Sequence, residues 1–210
     1  MTRLWGWIVV GVRFEINLYV ALGRWLLRRP AVPTGVTPWG YARLVTPVIW
    51  LWIFGSAVEV VVVHVITPWL VVRLVLLAVG VWGLLWMVGL LASYRVYPHL
   101  VDDDGLRVRH GKRADVRVPW ERIARVTTVD RDLPSSVRTF QPCPAGVDGE
   151  GGIDLQIGVS GRANVHLVLT EPMTVPVSGE PLAVTALTFL ADDPREFVAQ
   201  VRSAVRSTAH

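Results

Sequence analysis

Two apolar runs decide the reading of this chain: Leu44–Ile66, LVTPVIWLWIFGSAVEVVVVHVI, and Trp69–Ala92, WLVVRLVLLAVGVWGLLWMVGLLA, parted only by a break at Thr67-Pro68-Trp69. Each reaches the roughly 20 residues that an α-helix needs to cross about 30 Å of hydrocarbon. Two such runs in succession predict a transmembrane hairpin over residues 44–93.

Charge is distributed to match. Residues 1–94 carry seven arginines against Glu15 and Glu59, a net of +5, whereas residues 95–210 carry 14 basic and 15 acidic groups, a net of −1. The excess positive charge therefore belongs to the membrane half, where it suits anionic lipid headgroups. It gives no support for nucleic-acid binding. Arg28, Arg29 and Arg43 precede the first run, while the hairpin tip offers only Arg73. By the positive-inside rule, the chain before residue 44 and the chain after residue 92 are expected in the cytoplasm, giving a two-span protein of the cell membrane with both termini inside. Lys112 is the single lysine against twenty arginines, which resembles the codon bias of a high-GC bacterium. Cys143 is the only cysteine, so no intramolecular disulfide forms and cysteine-based metal sites are excluded.

Ahead of the hairpin, Leu4–Leu27 is long enough to span but carries charge. At 100° per residue, Arg3, Arg13, Asn17, Arg24 and Arg28 fall in a stripe about 80° wide, with Trp5, Trp7, Ile8, Phe14, Leu18 and Trp25 elsewhere on the circumference. This pattern predicts an amphipathic helix lying in the membrane interface. Spanning would place Arg13, Glu15 and Asn17 near mid-bilayer, at roughly 2.5–3.5 kcal/mol per charge. Pro33, Gly35, Pro38 and Gly40 mark a linker, so residues 1–43 are expected to be helix and linker.

After Ser93 the period changes. Short alternating segments at Tyr94–Val101, Leu106–His110, Ala114–Val118, Ile123–Val129, Ile153–Val159, Val165–Leu169 and Ala183–Leu190 predict about seven strands. Residues 133–152, rich in Pro and Gly, are expected to be a mobile loop. Asp193-Pro194-Arg195-Glu196 supplies an N-cap, a proline at N1 and a capping-box glutamate for a terminal helix with Phe197, Val198, Val201 and Val205 on its apolar face.

Tyr94–Gly111, Val118–Val126, Asn164–Leu169 and Ala191–Phe197 together resemble the opening and closing segments of bacterial pleckstrin-homology-like (PH-like) domains found beside transmembrane hairpins. The resemblance covers residues 44–206. It implies a PH-like β-barrel of about seven antiparallel strands with a C-terminal capping helix over residues 94–210, hence a membrane α-hairpin joined to an α+β domain. It implies a non-enzymatic binding or assembly module and supplies no catalytic residues. Members that bind phosphoinositides place a basic cluster at the first hairpin. Here that tip is Asp102-Asp103-Asp104, which disfavours inositol lipids, although Arg107, Arg109, Lys112 and Arg113 lie nearby as a candidate interaction surface.

The remaining candidates are intramembrane. Glu59, His64 and Arg73 are ionisable groups inside the spans, and such groups are functional-site hypotheses by default. One reading pairs Glu59 with Arg73 as a clamp that fixes the hairpin, with His64 near the outer headgroups; the alternative is a sensor or a proton- or ion-handling oligomer. Glu15 lacks a nearby His or second carboxylate. His99 and His166 fall on strands without metal-ligand spacing, and Ser135 and Ser136 have no paired His. No Gly-rich phosphate cradle opens a helix. The expected partners are membrane lipids and a second copy or another membrane-associated protein, with no cofactor or metal and no catalytic residue.

Overall fold

A computed structural model describes residues 2–133, 140–145, 152–177 and 180–208, without the side chains of residues 2–10 and 13. The chain divides into two compact units: residues 1–30 with 44–96, and residues 31–43 with 97–210.

The first unit is helical: α1 (Thr2–Leu26), α2 (Thr46–Ile66) and α3 (Leu70–Val96). α2 carries a proline in its first turn and stops at Thr67, which the following Pro68 holds in extended backbone. The Thr67 hydroxyl donates to the Val63 carbonyl at 2.6 Å, satisfying one of the carbonyls left over at the helix end. α2 and α3 are long and apolar enough to cross a membrane, and almost none of their most apolar stretches is buried, 0% and 11%. A core helix of a water-soluble protein would be covered; these leave Phe54, Val61, Val65, Val71 and Val79 on the outside. They pack on each other where Gly80 leaves room for Val60, whose methyl occupies the space a Cβ would need. α1 lies against α3, with Phe14 edge-on to Trp86 at 5.9 Å and Leu18 seated on Gly89.

The second unit is α+β. β1 (Thr37–Trp39), β2 (His99–Val101), β3 (Gly105–His110) and β4 (Ala114–Pro119) form an antiparallel sheet in that order. A one-turn 3-10 helix at Trp120–Arg122 leads to a second sheet made of β5 (Ile123–Asp132), β6 (Gln141–Pro144), β7 (Ile153–Ile157), β8 (Arg162–Val177) and β9 (Glu180–Phe189), in the order β5-β8-β9-β7-β6. α4 (Pro194–Thr208) follows. Leu106 and Val118 of the first sheet, Leu155, Leu167 and Phe189 of the second, and Phe197 and Val201 of α4 enclose a single apolar core.

Five expectations need correcting. There are nine strands among the described residues, in two separate sheets and not one closed barrel. One pair, β7 with β9, is parallel, because β7 inserts beside β9 instead of beside its sequence neighbour β8. Tyr94–Val96 continues α3 as helix; the strand begins only at His99. Residues 31–43 belong to the second unit and contribute β1, in place of a free linker, with Thr37, Pro38 and Trp39 paired to Val101, Leu100 and His99. Within the stretch expected to be loop, β6 is ordered by pairing with β7, whereas residues 134–139 and 146–151 lie outside the described residues.

Candidate functional site

The hairpin does not bring Glu59 to Arg73. With Val60 opposite Gly80, the antiparallel register puts Glu59 near the level of Val81, eight residues and about 12 Å along the axis from Arg73. Glu59 also points outward and is exposed, whereas His64 and Arg73 are half-buried. His64 shares the helical face of Val60, one turn away, and Arg73 shares that of Gly80, so both lie on the α2–α3 seam. Among the described residues, no ion pair joins Glu59 to either cation, and His64 Nδ1 and Arg73 Nε are buried without a hydrogen-bond partner. A double-mutant cycle of Glu59→Gln and Arg73→Gln, read as unfolding in detergent micelles, is therefore expected to be additive within about 0.5 kcal/mol. A larger coupling would restore the clamp.

The basic surface expected on the β3–β4 hairpin also divides. Arg107 is engaged by Asp115 across the hairpin, its Nε donating at 3.1 Å. Arg109 is buried: its guanidinium donates to the Ala31 carbonyl at 2.9 Å, and its Nε lies 3.7 Å from Asp115. It anchors the segment before β1 and is not a docking residue. Lys112 and Arg113 are exposed. The acidic tip is a turn: Asp102 Oδ1 accepts from the Asp104 and Gly105 amides at 3.1 and 2.8 Å, and Asp104 meets Arg117 at 2.9 Å.

Two buried polar clusters in the second unit escaped the sequence reading. In the first, Tyr41 lies against both His99 and His110, with ring centroids 4.7 and 6.0 Å apart, and its hydroxyl accepts from the Gly111 amide at 2.6 Å. The Arg109 amide can only donate, so His99 Nδ1 accepts it at 3.0 Å; Nε2 then carries the proton and donates to the Leu190 carbonyl at 2.8 Å. Both ring nitrogens are thus committed to the neutral imidazole. Burial pushes the His99 pKa down to about 4, with His110 and Arg109 adding to the effect and the Leu190 bond opposing it. His110 is also lowered to about 4, by burial first and then by Arg113.

A comparison with family models, curated proteins and solved structures finds no match to this chain. Its chemistry rests on the residues themselves.

The second cluster is a polar row across the five-stranded sheet. Thr127, His166, Thr188, Gln156 and Gln141 are successive cross-strand partners on β5, β8, β9, β7 and β6. The fully buried Thr188 hydroxyl donates to Asp154, 2.9 and 2.8 Å from its two oxygens. Its oxygen lies 2.8 Å from His166 Nδ1, and since its one proton faces Asp154, it accepts from that nitrogen. Arg131 donates to Asp154 from the other side at 3.2 Å. Asp154, Thr188 and His166 thus form a charge-assisted chain with Arg131 as counter-ion. With Thr188 wholly enclosed, the chain holds β5, β8, β9 and β7 in register; it offers no accessible nucleophile. His99 and His166 are therefore core groups. Among the described residues, no three His, Cys, Asp or Glu side chains converge as a metal site would require.

Proposed function

We propose that this chain is a membrane-anchored, non-enzymatic interaction or assembly module, with its helices in the bilayer and its α+β unit presented at the cytoplasmic face. The observation that carries the reading is the pairing of β1 with β2. A strand from the segment between α1 and α2 completes a sheet begun after α3. The unit is thereby joined to the helices by chain at three points, before residue 31, after residue 43 and before residue 97, and this tether raises its effective concentration toward membrane-side partners. The excess of arginine before residue 44 supports the inward orientation.

A PH-like relationship is part of this proposal. It is supported by the antiparallel β1–β4 sheet, the antiparallel β5-β8-β9 run and the terminal α4, with the β6–β7 hairpin as an addition beside β9. Among the described residues, every exposed large apolar side chain lies in the helical unit and none on the α+β unit. Its partner surface is accordingly polar, of the kind used in reversible contacts. A second copy or another membrane-associated protein is the partner class this suits, with lipid around the helices.

The test is purification of the full chain in mild detergent, with crosslinking in the native membrane beforehand and mass measurement afterwards. The reading expects a complex larger than one chain; a single-chain mass with no crosslinked product would overturn it. The second reading is a sensor or ion-handling oligomer using Glu59, His64 and Arg73, favoured by the unpaired His64 and Arg73 nitrogens on the seam. Under the module reading, Glu59→Gln and His64→Gln leave the crosslinked product unchanged; loss of function through these two alone supports the rival.

A further inference from the structure

We infer that α1 is a third membrane-spanning helix, whose outer face takes lipid hydrocarbon and whose amino-terminal end lies on the opposite side of the membrane from the α+β unit. This inference does not depend on what that unit binds.

The first support is register. Phe14 meets Trp86 and Leu18 meets Gly89, so both contacts step forward along the two helices together and α1 runs parallel to α3. The approach at Leu18 is tight: a Cβ on Gly89 would lie 2.6 Å from Leu18 Cδ2. The Trp82 indole N–H also donates to the Tyr19 phenol oxygen at 2.8 Å, a tie between the two helices that lies off this register. Carried along α1 with the same offset, the register places Leu26 level with the end of α3 and Thr2 level with its first turn, beside the hairpin tip. A helix lying in the interface would instead cross α3 steeply and touch it at one level. Parallel first and third helices, with an antiparallel second between them, are what three successive spans produce.

The second support is what α1 exposes. Leu18 and Ala21 are buried, and Phe14 and Trp25 half-buried, on the packed side, while Val12, Ile16, Val20 and Leu26 are exposed on the other. The helix is thus apolar both toward α3 and away from it, as lipid on the free side requires. Of Arg13, Glu15 and Asn17, the groups that argue against insertion, Glu15 and Asn17 are half-buried in the unit, and the Arg13 side chain is outside those described.

The third support is spacing. Trp5 and Trp7 stand 18–20 residues before Trp25, about 27–30 Å along a helix, the separation of the two aromatic belts of a bilayer. Three spans also keep the charge bias: Arg24, Arg28, Arg29, Arg43 and Arg95 fall on the side of the α+β unit, and Arg3 and Arg73 on the other. Under this proposal the amino-terminal end lies across the membrane from the carboxy-terminal unit, where two spans would put both on one side.

Single cysteines test this in the full-length chain carrying Cys143→Ser. Thr2→Cys and Thr34→Cys are exposed to a membrane-impermeant maleimide on intact cells and again after permeabilisation. The proposal expects the two to be labelled from opposite sides, Thr2→Cys in intact cells and Thr34→Cys only after permeabilisation. Labelling of both from the same side overturns it. The reverse arrangement, with Thr34→Cys labelled first, keeps the third span and removes the cytoplasmic orientation instead. Ile16→Cys is expected to stay unlabelled in either membrane preparation and to react once the protein is denatured in detergent; labelling in the native membrane overturns the proposal.

Discussion

Asp154→Ala is expected to destabilise the α+β unit by about 3 kcal/mol, measured by chemical unfolding of the detergent-solubilised chain at neutral pH. The substitution removes the carboxylate that accepts from the fully buried Thr188 hydroxyl and that Arg131 approaches at 3.2 Å. Leaving a buried hydroxyl without an acceptor costs about 1–3 kcal/mol. The Arg131 contribution is smaller, because that side chain is 37% exposed and water takes over part of its solvation. Asp154→Asn separates the two effects. Its amide oxygen still accepts from Thr188 while the charge is gone, so its loss should be about half that of the alanine variant. A native-like midpoint for Asp154→Ala would show that the chain from Arg131 to His166 contributes nothing to holding the sheet.

That network illustrates where sequence reasoning stops. Ile153-Asp-Leu-Gln-Ile157 alternates cleanly, and alternation places Asp154 and Gln156 away from the apolar core, as the structure does. The inference that this face meets water fails, since both residues are buried. Which groups share the face depends on β7 lying parallel to β9, and β9 begins more than twenty residues later, across chain that no local period describes. Arg109 misled in a similar way. It was expected on an interaction surface with Arg107, Lys112 and Arg113, but residues 31–43 lie over that part of β3, with Tyr41 against His99 and His110 and Ala31 accepting from Arg109. The covering segment was invisible because β1 is three residues long with Pro38 at its centre, and it exists only through pairing with β2 some sixty positions away. The apolar hairpin, by contrast, is written in consecutive residues and needed no partner to be read. The α4 start was legible for the same reason: Asp193, Pro194 and Phe197 are local, and the Phe197 amide donates to the Asp193 carbonyl at 3.0 Å.

Acid is expected to weaken the same unit well above the range in which carboxylates titrate. His99 and His110 are each held near pKa 4 in the folded protein, against 6.5 when unfolded. Between those values the unfolded chain binds more protons than the folded one, so stability is fully present above about pH 6.5 and falls as the pH drops toward 4. Below 4 the contribution of these two groups is flat. At about 1.4 kcal/mol per unit, His99 alone accounts for about 3 kcal/mol over the whole window. The chemistry is specific: a proton arriving at His99 Nδ1 faces the N–H of the Arg109 amide, whose nitrogen lies 3.0 Å away, and Nε2 is already committed to Leu190. Unfolding midpoints measured from pH 7.5 to 5 should fall steadily in the native chain. In His99→Gln, which cannot titrate, the starting stability is lower but the slope over this interval is shallower. Equal slopes in the two proteins would show that His99 is not the group that senses acid, and a native chain equally stable at pH 7.5 and 5 would remove both histidines from the account. The interval ends at pH 5 because carboxylates ordinarily protonate below it, which would mask the imidazoles.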